Sequence, residues 1–195
     1  MARKIDDDKI QHIKQATMQT IVENGIESTT IAMIAKNANV SGGYLYRIYE
    51  GKQDLINNLF YDKVNSLYKE LELLLALNQT SIEPLIKSFV QNRVVYYLNE
   101  PIASKFFYQL LHNDNFTITS NLKDKSMFLM ESIKDIGVKS GEISNSLSLY
   151  QLYYHIFVYP VNYISFKSKN IFDGQETTNE DVTYLTKNIL NLLKI

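Results

Sequence analysis

Apolar residues recur at helical spacing along nearly the whole chain, and short polar clusters divide that pattern into segments. Ile13, Ala16, Thr17 and Ile21 share one face of a segment over 7–24, with Asp6, Asp7 and Asp8 at its positive end and Gly25 as its stop. Ile31, Ile34 and Ala35 mark a short helix over 30–37, and Leu55, Ile56, Leu59, Phe60, Val64, Leu67, Leu71 and Leu74 a long one over 52–77. A loop over 78–81 follows, with Ser81 a cap candidate and Pro84 near a helix start. Further helices are predicted over 82–98, 102–112 and 120–136, divided by Glu100-Pro101, by Asn113-Asp114-Asn115 and by Gly137. Residues 143–166 contain no Asp, Glu, Lys or Arg. Serines, asparagines, Gln151 and His155 interrupt them, so they read as a helix covered on two sides and kinked at Pro160, not as a membrane span. A polar loop over 173–179 leads to a last helix over 180–194 carrying Val182, Leu185, Ile189, Leu192 and Leu193.

The most informative stretch is TTIAMIAKNANVSGGYLYRIYEGK, residues 29–52. Thr29 and Thr30 stand where a hydroxyl caps the helix that follows. Asn37-Ala38-Asn39-Val40 breaks it, since asparagine tolerates the left-handed backbone of a sharp turn. Ser41 caps a second helix whose first turn holds Gly42 and Gly43, and glycine is about 1 kcal/mol less favourable than alanine in a helix interior, somewhat less so near an end. Close approach of another backbone is the usual compensation. Leu45 and Tyr49 fall inward, while Tyr44, Arg47 and Tyr46 fall toward the glycines. Lys52 opens the next helix behind Gly51, so its ammonium and the helix N-terminus suit a phosphate. Two short helices joined by a tight turn form a helix-turn-helix, whose second helix enters the DNA major groove by its N-terminal end. The plainer alternatives are a core role for Tyr46 and ordinary surface charges at Arg47 and Lys52. Arg3 and Lys4 fit a flexible arm touching DNA or a disordered tail.

Ile13, Ala16, Ile21, Gly25, Thr29, Thr30, Ile34, Ala35, Ala38, Val40, Ser41, Gly43, Leu45, Tyr46, Tyr49, Lys52 and Leu55 stand in an ungapped register that resembles the N-terminal domain of the tetracycline-repressor (TetR) family. Asn39 replaces the usual glycine, and Ile48 a more polar residue. The resemblance implies an all-α fold with a three-helix helix-turn-helix DNA-binding domain over 1–52. A larger C-terminal helical domain for ligand binding and dimerisation would occupy 53–195. It implies a ligand-responsive transcriptional regulator, a repressor that binds a palindromic double-stranded operator as a homodimer. Thr29, Thr30, Ser41, Gly42, Gly43, Tyr44, Tyr46, Arg47 and Lys52 would face the DNA. The last two helices would pair with their copies as a four-helix bundle. A small apolar or aromatic effector would lie among Tyr96, Phe107, Tyr108, Phe128, Tyr153 and Phe157.

Composition narrows the chemistry. The 195 residues can bury a sizeable core in one or two domains. Cysteine is absent, which excludes disulfides and thiolate catalysis. The start MARKIDDDKI lacks the apolar core of a signal peptide, so a cytoplasmic location is expected, with no membrane partner. Net charge is −1, with seven Lys or Arg against six acids over 1–52 and thirteen against fifteen beyond. That is no basic surplus, so hydroxyls, backbone N–H groups and a few placed cations must hold DNA, in two copies. His12, His112 and His155 are scattered without a second ligand at metal spacing, and no nucleophile elbow, P-loop or dinucleotide fingerprint occurs. No cofactor, metal or enzymatic activity is expected. Two rival readings remain: a helical enzyme or small-molecule carrier with a vestigial N-terminal unit, and a protein-interaction module using the long uncharged helix.

Overall fold

The computed structural model describes residues 7–118, 120–169 and 177–194, and the side chains of all these except 120 and 121. The basic pair Arg3 and Lys4, Asp6 and most of the polar loop over 173–179 lie outside them. Every regular element among the described residues is helical: α1 (Asp7–Asn24), α2 (Ile31–Asn37), α3 (Gly42–Tyr46), α4 (Lys52–Leu77), α5 (Glu83–Asn99), α6 (Pro101–Leu111), α7 (Ser120–Lys139), α8 (Leu149–Tyr153), α9 (Tyr159–Lys167) and α10 (Asn179–Leu192). A π turn, Tyr154–Val158, joins α8 to α9. No helix among them is long and apolar enough to cross a membrane.

The chain forms two compact units. The first takes the described residues as far as Ser66 together with Glu100–Phe116, and the second takes Leu67–Asn99 with the described residues from Thr117 onward. The units part inside α4, and α6 belongs to the first, where it packs on α1.

In the first unit a single core holds three helices and the start of α4: Ile13 and Ala16 from α1, Ile31, Ile34 and Ala35 from α2, Leu45 from α3 and Leu55 from α4, with Ala38 and Tyr49 between them. Behind α4, Phe60 meets Phe116 edge to face at 4.8 Å, and Lys14 pairs with Asp62. Burial, then the charges of Asp62 and Asp54, push the Tyr49 phenol above its ordinary value, so it stays neutral in this core.

In the second unit α10 and α9 pack on α5, and α7 packs on α8. The expected stop at Gly137 does not occur, because α7 runs through it to Lys139. Gly137 instead gives room to Ile143, whose side chain lies where a methyl at that position would stand. The turn that follows the helix places Gly141 at φ +74°. The departure from α geometry expected at Pro160 comes earlier, in the π turn, where the Tyr159 N–H donates to the Tyr154 carbonyl. The α10 stripe faces inward: Val182, Leu185, Ile189 and Leu193 are buried in the chain's own core.

Two carboxylates tie this unit together. Glu142 accepts from Ser81 Oγ (2.7 Å), Ile82 N (2.8 Å), Glu83 N (3.2 Å) and Ser140 Oγ, and so caps α5 from a distant loop. Asp181 accepts from the Tyr163 hydroxyl (2.8 Å), the Lys167 ammonium (2.6 Å) and the Thr178 N–H (2.7 Å), joining α9 to α10. Burial opposes the ionised form of each, but the donated hydrogen bonds outweigh it and hold both carboxyls below their ordinary values. Stability from a depressed carboxyl is present above its unfolded pKa and is lost as pH falls through the folded one. Glu142→Ala is therefore expected to destabilise the protein by about 1–2 kcal/mol at neutral pH, the size of a lost helix cap. In thermal unfolding the gap to the parent should narrow below about pH 4.5, the ordinary value for glutamate, and a constant gap down to strong acid would refute this assignment.

Candidate nucleic-acid interface

The turn between α2 and α3 shows how local sequence sets this surface. Asn39 takes φ +51°, the Val40 N–H donates to Ala35 O (3.0 Å) and the Asn39 N–H to Lys36 O (3.2 Å). That is a Schellman ending with asparagine in the left-handed position. Asn37 bridges back to α1, donating to Thr20 Oγ1 (3.0 Å) and Ala16 O (3.3 Å), so it fixes α2 as well as preceding the turn. Thr30 and Ser41 are exposed caps whose hydroxyl oxygens accept from Met33 N and Tyr44 N, each at 3.2 Å. Their O–H groups remain available to donate outward.

Gly42 and Gly43 lie in the first turn of α3, and a methyl built on either meets nothing within 4 Å. The fold itself therefore does not require glycine there. Tyr46 is 63% exposed and Arg47 is exposed beside it, while Leu45 is fully buried on the opposite side. Tyr44 divides its surface: its ring packs partly on the core, with Arg47 over it at 4.8 Å and Lys9 of α1 at 5.0 Å. Ile48 also packs on the core, as its apolar side chain suggests. α3 is only five residues long, and Tyr49 belongs to the turn after it.

Two expected contacts fit poorly with this surface. Thr29 is 1% exposed and donates its hydroxyl to Gly25 O (2.8 Å), so its side chain braces the α1–α2 connection and does not face outward. Lys52 turns its ammonium to Ile26 O (2.8 Å) and Glu27 O (3.3 Å), clamping the same connection to the start of α4 and leaving one donor for a phosphate. Lys9 was not foreseen, because no sequence spacing links position 9 to position 44.

The predicted effector residues divide between the two units. In the second unit Tyr153 stacks on Phe157 (5.1 Å), Phe157 meets Phe89 edge to face (4.9 Å), and Tyr96 is half-buried on α5. Phe128 is 67% exposed on α7. Phe107 and Tyr108 sit on α6 in the first unit, with Tyr108 stacked on His112 at 4.1 Å. Phe89 was not among the predicted effector residues, since aromatic spacing does not tell a cluster from a core.

Residues 13–59, which span most of α1, α2, the turn, α3 and the start of α4, match the family described as bacterial regulatory proteins, tetR family. The fatty acid metabolism regulator protein of Bacillus subtilis (strain 168) is 25% identical over 157 residues, covering 72% of this chain and 74% of that protein. Two solved structures share the fold. A TetR family transcription regulator from Marinobacter aquaeolei VT8 superposes with a TM-score of 0.78 at 19% identity, covering 96% of both chains. The transcriptional regulator FadR from Bacillus subtilis, in complex with stearoyl-CoA, does so with a TM-score of 0.72 at 21% identity, covering 95% of this chain and 98% of that one. Residues 13–59, with their helix-turn-helix presented outward, carry the pattern of the tetR family of bacterial regulatory proteins, and the chain as a whole has the fold of the TetR-family regulators above.

Proposed function

We propose that the protein is a cytoplasmic repressor that binds a palindromic operator as a homodimer and is released by a long-chain acyl thioester. The glycine pair of α3 carries the DNA half of this reading: it is free of internal neighbours, so its missing side chains serve something outside the chain. Residues 1–52 supply the reading head. Gly42 and Gly43 bring the backbone against the duplex, Thr30, Ser41 and Tyr46 donate hydroxyls to phosphates, and Arg47 reaches a base edge or phosphate beside Tyr44. Lys52 contributes one remaining donor, and Thr29 acts only by bracing.

The dimer forms through the exposed aromatics of the last helices. The α10 stripe is engaged with α5, so Tyr150, Tyr154, Phe166 and Tyr184, exposed by 76%, 43%, 52% and 50%, are the groups left for a partner copy. The effector class follows from the fatty-acid regulators that this chain resembles and from the Phe89–Phe157–Tyr153 cluster, whose rings suit an acyl chain. A ligand that prefers one dimer geometry would move the recognition helices off half-sites about 34–36 Å apart.

Selection of bound sequences from random DNA tests the whole reading. A recovered palindrome with half-sites one or more helical turns apart is expected, and enrichment of single half-sites would sink the homodimer. Gly43→Ala should leave thermal stability equal or higher by up to about 1 kcal/mol, while operator affinity in fluorescence anisotropy falls roughly tenfold or more. Unchanged affinity would remove the close-approach role. Phe166→Arg with Tyr184→Arg should convert the dimer to a monomer in sedimentation and abolish operator binding. A variant that stays dimeric would place the interface elsewhere.

A further inference from the structure

We infer that Arg93 is the polar anchor of the effector site, its Nε–H donating to the carbonyl oxygen of a thioester-linked acyl chain. The inference rests on the acyl-thioester reading above and assigns the residue that would recognise it. Arg93 lies on α5 with its side chain only 10% exposed. Its Nη2 is bonded to Glu70 of α4, whose other oxygen accepts from Asn92 Nδ2 at 3.0 Å. Its guanidinium lies 4.8 Å over the ring of Phe89, one helical turn earlier on the same face.

Among the described residues, Arg93 Nε is one of two buried side-chain polar atoms without a hydrogen-bond partner, the other being Ser104 Oγ. A buried donor without an acceptor is rare in native proteins and marks a place where a partner is missing. The aromatic cluster begins at the same residue, because Phe89 meets Phe157 of the π turn, and single π turns recur at functional sites. Arg93 therefore stands between exposed Asn92 with half-buried Glu70 on one side and fully enclosed Phe89 on the other. That order suits a ligand with a polar head outside and an apolar tail inside.

The charge balance selects the acceptor. Glu70 already neutralises the guanidinium, so a second carboxylate would be repelled by Glu70 and left uncompensated in a buried setting. A neutral carbonyl meets the remaining N–H without that penalty. Burial pulls the guanidinium below its ordinary value and the Glu70 carboxylate pulls it back, in keeping with a pair that is already balanced.

The test compares stearoyl-CoA with its thioether analogue S-octadecyl-CoA, which lacks only the carbonyl oxygen, by calorimetric titration of the full chain. The parent protein should bind the thioester about tenfold more tightly, the size expected for one hydrogen bond to a charged donor. Arg93→Met combined with Glu70→Gln removes the pair together, so no bare buried charge remains. This variant should bind both ligands alike, at the thioether's level, with the parent's unfolding midpoint and ligand-free operator affinity. Equal binding of the two ligands by the parent overturns the anchor role without requiring any variant to fold. A preference that survives in the double variant overturns it too and reduces the pair to an α4–α5 tie. Failure of the parent to bind either ligand while it still binds its operator overturns the acyl-thioester reading and this assignment together.

Discussion

A helix of five residues cannot hold itself together. Isolated helices shorter than about 12–15 residues are marginal in water, because fixing the first turn costs more than its hydrogen bonds return. α3 has five residues and α2 seven, so both exist only because Leu45 and Ile34, each fully buried, lock them to Ile13 and Leu55. The caps at Thr30 and Ser41 and the Asn39 turn fix where each helix starts and stops, but the core fixes where it points. What projects on the far side of Leu45 is therefore set by the core: two bare glycines, Tyr46 and Arg47. The proposed recognition surface is the residue of a packing solution, and substitutions in the core beneath it would act on DNA binding through geometry as well as through stability.

The second unit meets a different constraint, that of keeping charge inside. Asp181 does it with donors on every side, and the same arrangement pushes the Tyr163 phenol up to about 12, first by burial and then through its hydrogen bond to that carboxylate. Glu142 does it by accepting the N–H groups at the start of α5, which have no carbonyl within the helix to bond to. Glu70 and Arg93 neutralise each other but leave one guanidinium N–H without an acceptor. Two of these carboxylates are closed arrangements with nothing left to offer a ligand. The Glu70–Arg93 pair is open through the Arg93 Nε–H, and it adjoins the aromatic rings.

Periodicity made much of the fold legible. α1 and α4 begin and end where the apolar spacing and flanking Gly25 and Asn78 place them, because long amphipathic stripes leave little freedom of register. Single residues were harder to read. A threonine at the head of a helix reads as a cap whether it faces outward, as Thr30 does, or inward, as Thr29 does, since the difference is a hydrogen bond to Gly25 O across a turn. Lys52 has the spacing of a phosphate contact, but its long stem can equally reach the Ile26 carbonyl, and nothing in the local sequence decides between them. Gly137 looked like a helix stop because glycine usually is one, and its reason for being there is Ile143, a contact visible only after the chain has turned back. The allegiance of α6, with Phe107 and Tyr108, to the first unit depends on its packing against α1 and leaves no local signature.

Charge finally limits what kind of DNA contact this surface can make. Nonspecific affinity scales with the number of phosphates that cations neutralise, and it falls steeply with salt as that number grows. Over residues 1–52 the surplus is a single positive charge, and near α3 the cations are Lys9 and Arg47, both gathered on the ring of Tyr44, with Lys52 mostly engaged by backbone carbonyls. A head so sparsely charged gains little from any stretch of duplex. On the interface proposed above, binding would come from contacts that need close fit: main chain at the glycines, hydroxyls at Thr30, Ser41 and Tyr46, and one arginine held against a ring. Such contacts weaken sharply when the fit is imperfect, so on that interface low charge would be a device for discrimination, trading general adhesion to DNA for dependence on shape.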